Sequence, residues 1–215
     1  MHLERSGILL CLVGPAGSGK TTFANQLLGE FEDGGTLCRS VSVTTRLPRN
    51  GEVDGIDYHF VPRDVFEQKI QAGEFFEWEE THLNLYGTLK SPLESAISKG
   101  ADIVLDIDIR GALNFKKSYP ANTVIVFIMP PSRGELKERL AKRGSSQDDL
   151  AIRLTTALRE VEIFTKNRAE VDYLIINDEM QRAFTEIRSV LIVERSRVTR
   201  FSEASLRKSL SLGQQ

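Results

Sequence analysis

Residues Gly14 to Thr21 read G-P-A-G-S-G-K-T and carry the groups needed to hold a polyphosphate. Glycines let backbone N–H groups approach an anion, and the N-terminus of a following helix adds positive potential. Lys20 reaches the outer phosphates, and the Thr21 hydroxyl can ligand magnesium. The loop Gly14, Pro15, Ala16, Gly17, Ser18, Gly19, Lys20, Thr21, Thr22 directly follows the apolar run Ile8 to Val13, so a buried strand turns through it into a helix. A second polar group follows an apolar run at Asp106, after Ile103-Val104-Leu105. Ligands of open parallel sheets gather at the carboxyl ends of strands. Asp106 is therefore expected to face the phosphate loop, organising a magnesium-bound water or orienting an acceptor, while Asp108 also reads as a helix cap.

The elements that must position these groups alternate along the chain. Besides the first strand, Ile103 to Leu105, Val124 to Met129 and Tyr173 to Ile176 read as strands covered on both faces, the pattern of a parallel sheet. Helix starts are predicted at Ser91-Pro92-Leu93-Glu94, Ser132-Arg133-Gly134-Glu135 and Asp64-Val65-Phe66-Glu67, each from a capping residue with a reciprocal glutamate. The fold class is doubly wound α/β. Two stretches break the alternation. From Val41 to Tyr86 short segments (Cys38 to Val43, Tyr58 to Val61, Phe75 to Trp78) are separated by turn residues, predicting a small mixed sheet inserted into the core. From Arg139 to Arg153 cations surround a polar turn, Gly144 to Asp149, expected to be a mobile lid. The Ser- and Arg-rich tail after Glu194 reads as a frayed end.

Composition narrows the function class. A chain of 215 residues with a formal net charge of −2 gives no reason to expect nucleic acid or a membrane as a general partner. No apolar stretch approaches the roughly 20 residues needed to span a bilayer, and the first residues lack the apolar region of a secretory signal, so the expected compartment is the cytoplasm. Cys11 and Cys38 read as small core residues, and His2, His59 and His82 are too scattered for a metal cluster.

The inserted segment narrows the reading further. Thr44-Thr45-Arg46-Leu47-Pro48-Arg49 sets two guanidinium groups three residues apart, Tyr58 follows in Gly55-Ile56-Asp57-Tyr58-His59-Phe60, and Glu77-Trp78 precedes Asn84-Leu85-Tyr86-Gly87-Thr88. Here the chain closely resembles the guanylate kinases, which move the γ-phosphoryl of ATP onto GMP. Thr44 to Val61 matches their signature, Arg46, Arg49, Glu52, Gly55 and Tyr58 included, and the resemblance runs from about Gly7 to Val193. It implies that Arg46, Arg49, Tyr58 and Tyr86 hold the acceptor phosphate. Their chemistry suits that role, because guanidinium forks and phenol hydroxyls donate to phosphate oxygens. It also implies that Glu77, Ser42 and Thr88, with Asp108 nearby, read the base. Guanine presents two adjacent donors to a carboxylate, and adenine offers no such pair on that edge. Arg139, Arg143 and Arg153 are implied as transition-state contacts. The chain departs from the family pattern at Ala16 and Thr22, in the segment Glu80 to Leu85, and in a lid about one residue shorter.

Together these features give a single domain over 6–194. Its core comprises 6–37, 100–138 and 154–194, with a GMP-binding insert at 38–99, a lid at 139–153 and a polar tail at 195–215. The expected reaction is in-line transfer from ATP to GMP with Mg²⁺, with Lys20, Arg46, Arg139, Arg143 and Arg153 catalytic, in a monomer or homodimer. Two rivals share the scaffold: a kinase of another phosphorylated acceptor, which has no reason to keep Tyr58, Glu77 and Thr88, and a binding module without catalysis, against which the intact Lys20 and Thr21 argue.

Overall fold

The computed structural model describes residues 3–31, 37–81, 83–142 and 147–211. Its strands are β1 (Leu9–Val13), β2 (Leu37–Arg39), β3 (Val43–Thr44), β4 (His59–Phe60), β5 (Phe75–Thr81), β6 (Asn84–Leu89), β7 (Asp102–Asp106), β8 (Thr123–Met129) and β9 (Tyr173–Ile176). Its helices are α1 (Lys20–Phe31), α2 (Arg63–Gln71), α3 (Lys90–Ser98), α4 (Ile109–Ser118), α5 (Arg133–Ala141), α6 (Gln147–Lys166), α7 (Met180–Arg195) and α8 (Glu203–Ser211).

A parallel sheet in the order β2-β7-β1-β8-β9 forms the centre, with Leu9 of β1 in register with Ile103 of β7 and Thr123 of β8. Side chains of a strand point alternately to opposite faces. Ile8, Leu10 and Leu12 accordingly pack with Phe23 and Leu27 of α1 and with Ile187 and Leu191 of α7. Leu9, Cys11 and Val13 pack on the other face with Leu93 of α3 and with Ile109 and Phe115 of α4. Layers on both faces explain why β1 is apolar without a break, and they make the core doubly wound as expected. At the sheet edges the expectation fails: Leu174 of β9 is 51 % exposed, and Cys38, on edge strand β2, is exposed rather than buried.

A second sheet, in the order β4-β3-β6-β5, is mixed: β3 and β4 are parallel, and the other pairs are antiparallel. Phe66 of α2 stacks on Phe75 of β5 at 4.3 Å between ring centroids, and Val43 and Leu85 complete a small separate core. Sheet membership bounds this unit more tightly than 38–99. Cys38 and Arg39 pair with β7 in the large sheet, and α3 contributes Leu93 to the large core. One bulge separates Phe75 from Glu77 in β5. Phe75 thus enters the small core, whereas the next residue, Phe76, stacks on Phe115 of α4 at 4.1 Å.

Two helix starts differ from the sequence patterns. β6 runs directly into α3, so Leu89 occupies the N-cap without a side-chain hydrogen bond, and Ser91 and Pro92 lie inside the first turn. The first turn lacks intrahelical N–H acceptors, which is why the proline is tolerated there. Pro62 likewise precedes α2, placing Asp64 inside the helix. Ser132 does cap α5, accepting from Glu135 N at 3.1 Å. The polar turn expected at 144–149 is already helical from Gln147. Arg143 to Ser146 lie outside the described residues, as do His2 and His82. No helix among the described residues is long and apolar enough to cross a membrane.

The tail is not frayed up to Ser211. Arg200 is 3 % exposed; its Nε donates to Glu194 O at 2.7 Å and its Nη2 to the Glu194 carboxylate at 2.6 Å. Tyr173 Oη donates to the other Glu194 oxygen at 2.8 Å. Arg5 forms a β-bridge with Phe201, and Ser6 N donates to Arg200 O at 2.8 Å. The buried Asp102 carboxylate accepts from Arg5, Arg195 and Ile8 N, tying both chain ends to β7. Burial raises the Glu194 pKa, but the hydrogen bonds from Arg200 and Tyr173 and the Arg197 charge overcome it and leave the carboxyl below its ordinary value of 4.5. A depressed carboxylate pKa adds stability that is present above the unfolded value and lost as pH falls through the folded one. Arg200→Ala, which strands a buried charge, is expected to lower the unfolding free energy by about 3–5 kcal/mol in urea titrations at neutral pH. The deficit relative to the parent chain should shrink below pH 4.5, as Glu194 protonates in both proteins.

Candidate functional site

The carboxyl ends of β1, β7 and β9 meet at one edge of the large sheet. After Val13 the chain turns through Gly14 at φ 139°, where a Cβ would lie 2.1 Å from Ile128 O, so only glycine lets the loop leave β1 against β8. Lys20 Nζ donates back to Gly14 O at 2.5 Å and to Pro15 O at 3.3 Å. Thr21, one residue on, donates its hydroxyl to the Asp106 carboxylate at the end of β7. The loop is fastened from the far side by Asn177, which follows β9 and is buried. Its Nδ2 donates to Ser18 O at 2.7 Å, and its carbonyl accepts from Arg139 Nη2 of α5 at 2.9 Å. Arg139 also meets Glu135 at 3.3 Å. Sequence reasoning missed Asn177, although it follows an apolar strand as Asp106 does.

A second group gathers on the small sheet. Arg46 Nη2 donates to both Glu52 oxygens at 2.9 Å, and Arg46 Nη1 donates to Leu47 O at 2.7 Å. Glu52 also accepts from Arg49 N at 2.8 Å, so one carboxylate shapes the whole turn. The Glu52 hydrogen bond holds the Arg46 guanidinium more firmly protonated than usual, with Tyr86 adding to it. The same bond, with that from Arg49 N, lowers the Glu52 pKa. The Arg46 guanidinium carbon lies 5.5 Å from the Tyr58 ring centroid, and Tyr58 meets Tyr86 edge-on at 6.0 Å. Arg46, Tyr58 and Tyr86 therefore converge, while the Arg49 side chain is exposed on the turn beside them.

Between the loop and this group lies a cavity of about 520 Å³. Ser42, Glu77, Tyr86 and Thr88 line it from the small sheet, and Asp106, Asp108, Arg110 and Asn114 from the large core. Glu77 pairs with Thr88 across β5 and β6, so both side chains share the cavity face. Burial, then Asp108, then Glu79 push the Glu77 pKa up. Asp108 caps α4, accepting from Gly111 N at 2.7 Å, so the cap reading holds while the residue still lines the cavity. A carboxylate placed like Glu77, partly out of water beside a second one, is a strong acceptor without a matching donor. The cavity therefore favours a ligand that presents N–H groups.

The family profile described as guanylate kinase matches residues 6–194, a span that takes in the phosphate loop, the small sheet and the cavity between them. The chain belongs to the guanylate kinase family. It is 45 % identical over 196 residues to a guanylate kinase of Nitratidesulfovibrio vulgaris, covering 90 % of each chain. To one of Clostridium perfringens it is 39 % identical over 204 residues, covering 94 % of this chain and 91 % of the relative. The crystal structure of a guanylate kinase from Anaplasma phagocytophilum superposes with a TM-score of 0.71 at 33 % identity, covering 96 % of this chain and 94 % of that one. Within this family fold the sequence candidates fall at three places. Ser42, Glu77, Tyr86, Thr88, Asp106 and Asp108 line the cavity, Arg46, Arg49 and Tyr58 belong to the neighbouring turn and aromatic pair, and Arg139 lies beside the phosphate loop. Arg153 is exposed on α6, and Arg143 lies outside the described residues.

Thr21 and Asp106 offer hard oxygen donors, and among the described residues no group of three or more His, Cys, Asp or Glu side chains could hold a metal by itself. That donor set fits magnesium, which binds through one or two protein oxygens together with substrate phosphates and water. Asn177→Ala removes the Nδ2 donor of the buried Ser18 carbonyl and keeps the main-chain carbonyl that Arg139 uses. It should lower the unfolding free energy by about 1–3 kcal/mol in denaturant titrations.

Proposed function

We infer that this chain transfers the γ-phosphoryl group of ATP to GMP, giving ADP and GDP. The observation that carries the reading is the juxtaposition of a phosphate loop with a cavity whose inner wall is the Glu77 carboxylate and whose outer flank is the Arg46, Tyr58 and Tyr86 cluster. The family membership of the whole matched segment points to the same reaction.

In this reading ATP lies on Gly14 to Thr22, where backbone N–H groups, the N-terminus of α1 and Lys20 meet its phosphates. Lys20 exchanges the Gly14 and Pro15 carbonyls for phosphate oxygens, a gain for an ammonium. GMP enters the cavity base first. Its N1–H and amino group donate to Glu77, with Ser42, Thr88 and Asp108 completing the base contacts. Its phosphate reaches Arg46, Arg49, Tyr58 and Tyr86. Glu52 holds Arg46 and the Arg49 backbone in place, so the turn is shaped before the phosphate arrives. Adenine presents a lone pair where guanine presents N1–H, which would face a carboxylate already short of donors.

Thr21 and Asp106 are the groups that would hold magnesium, Asp106 through water. Bound there, the ion would supply positive charge between the phosphates. The chain itself contributes positioning and cations: Lys20, Arg46 and Arg139, with Arg143 and Arg153 of the lid, surround the charge that spreads over the transferring group. A strong general base is not needed for this transfer.

The test measures ADP formation from ATP and Mg²⁺ with GMP, AMP, CMP and UMP offered separately. GMP alone should support rapid turnover. Lys20→Ala should retain the thermal transition and lose at least about 100-fold in kcat. Glu77→Gln should lose about 10- to 100-fold in kcat/KM for GMP, because a neutral amide accepts only one of the two guanine donors. Equal turnover of all four acceptors, or an unimpaired Lys20→Ala, would exclude the reading.

A further inference from the structure

Glu160 is a carboxylate that the transfer reaction leaves unused. It lies on α6 between two anchors. Ala157, three residues before it, is buried against Leu136 and Leu140 of α5. Phe164, four residues after it, stacks on Phe127 of β8 at 4.1 Å. Both anchors hold this face of the helix against the phosphate-loop end of the sheet, since Leu136, Arg139 and Leu140 are the side chains nearest to Gly17. Arg153 is seven residues, two helical turns, before Glu160 and so projects from the same face.

Glu160 Oε2 is buried and has no hydrogen-bond partner. The charged groups whose fields reach it are Lys20 and Asp108. An ionised carboxylate oxygen kept from both water and donors is costly, and a well-placed cation is what offsets the cost. Burial raises the Glu160 pKa, Lys20 opposes the rise and Asp108 adds to it. Lys20 spends donors on Gly14 O and Pro15 O, the two carbonyls that it must release to reach a nucleotide. An ammonium carries three N–H donors in tetrahedral array, and fixing one of them fixes the directions open to the others.

We propose that Glu160 is a positioning residue for Lys20: once the ammonium leaves the loop carbonyls, Glu160 Oε2 accepts one of its N–H groups and directs the other two at the phosphates. The proposal rests on Lys20 being the phosphate-binding lysine, and it adds the group that aims it. Asp106 and Thr21 are tied to each other on the β7 side, which leaves Glu160 to approach the ammonium from the α6 side. The bond is worth making only when nucleotide has drawn Lys20 off the loop, so it would contribute to turnover more than to the stability of the free protein.

The experiment compares the full chain with Glu160→Gln, which is nearly isosteric and removes only the charge. Protein labelled with ¹³C at the lysine ε-carbon reports the surroundings of Lys20 at neutral pH, with Lys20→Arg assigning the signal and the β,γ-methylene analogue of ATP with Mg²⁺ as ligand. At the same pH, the Lys20 signal of Glu160→Gln in the analogue complex should be displaced from its position in the parent complex. kcat should fall about 10- to 100-fold with KM for ATP changed less than about threefold. The thermal transition should be unchanged or higher, because an unpartnered buried charge has been removed. An undisplaced Lys20 signal in the analogue complex, or a kcat within about twofold of the parent, would overturn the proposal. So would a kcat loss that follows a lowered thermal transition, which would make Glu160 a folding residue. If the parent Lys20 signal fails to respond to the analogue, the reading of Lys20 itself falls, and that outcome is seen without the variant.

Discussion

Because both faces of β1 are buried beneath helices, its polar backbone can meet a ligand only at its carboxyl end, and every other part of the site is arranged around that exit. Gly14 lets the chain leave against β8, and α1 begins at Lys20. Neighbouring strands end at the same level. Asp106 from β7 reaches Thr21, and Asn177 beyond β9 reaches Ser18 and Arg139. A loop held from both sides keeps its donors in place before a phosphate arrives, so little reorganisation is left for the moment of reaction.

Charge is distributed unevenly across this edge, and in the proposed reading the imbalance serves the two nucleotides. In the proposed reading Lys20, Arg139 and Arg46 are the cations for the phosphates, whereas the cavity is lined by the carboxylates Glu77, Asp106 and Asp108 with Arg110 beside them. Fixed cations favour the spread charge of a transferring phosphoryl group, and acceptors short of donors favour a base that brings its own. The Arg46 and Glu52 pair links the two regimes. A carboxylate that holds the guanidinium from behind leaves its remaining donors for a phosphate and prevents the side chain from folding onto the carboxylates of the cavity.

The parts of this arrangement legible in the sequence are those encoded within a few residues. The phosphate loop is one continuous stretch, and Asp106 ends an apolar run, so the strand rule alone finds it. The mixed insert is visible from its turn residues, and its functional residues from a family signature. What escapes depends on distant partners. Asn177 meets Ser18 across 159 positions, and Glu160 stands out only because α6 packs on α5 beside the loop. Arg200 looks like part of a solvated tail because its acceptors, Glu194 and Ala121, are supplied by tertiary packing. The Ser91 pattern misleads for a different reason: β6 and α3 are continuous, so the helix starts where the strand ends and needs no side-chain cap.

The bulge in β5 has a mechanical consequence. Phe75 is locked into the small core and Phe76 into the large one, so two adjacent residues belong to two different bodies, and Glu77 is the next residue along. The cavity therefore sits at the joint, with one wall on each body, while Arg46 and Tyr58 ride further out on the small sheet. Rotation about such a joint moves its surroundings in proportion to their distance from it. Glu77 and Thr88 lie near such an axis and would shift little, and the turn that carries Arg46 and Arg49 lies on the arm and would sweep furthest. In the proposed reading, recognition of the base and delivery of the phosphate would thereby be separated by leverage: a small rotation that left Glu77 nearly still would carry the acceptor's reactive end toward the donor.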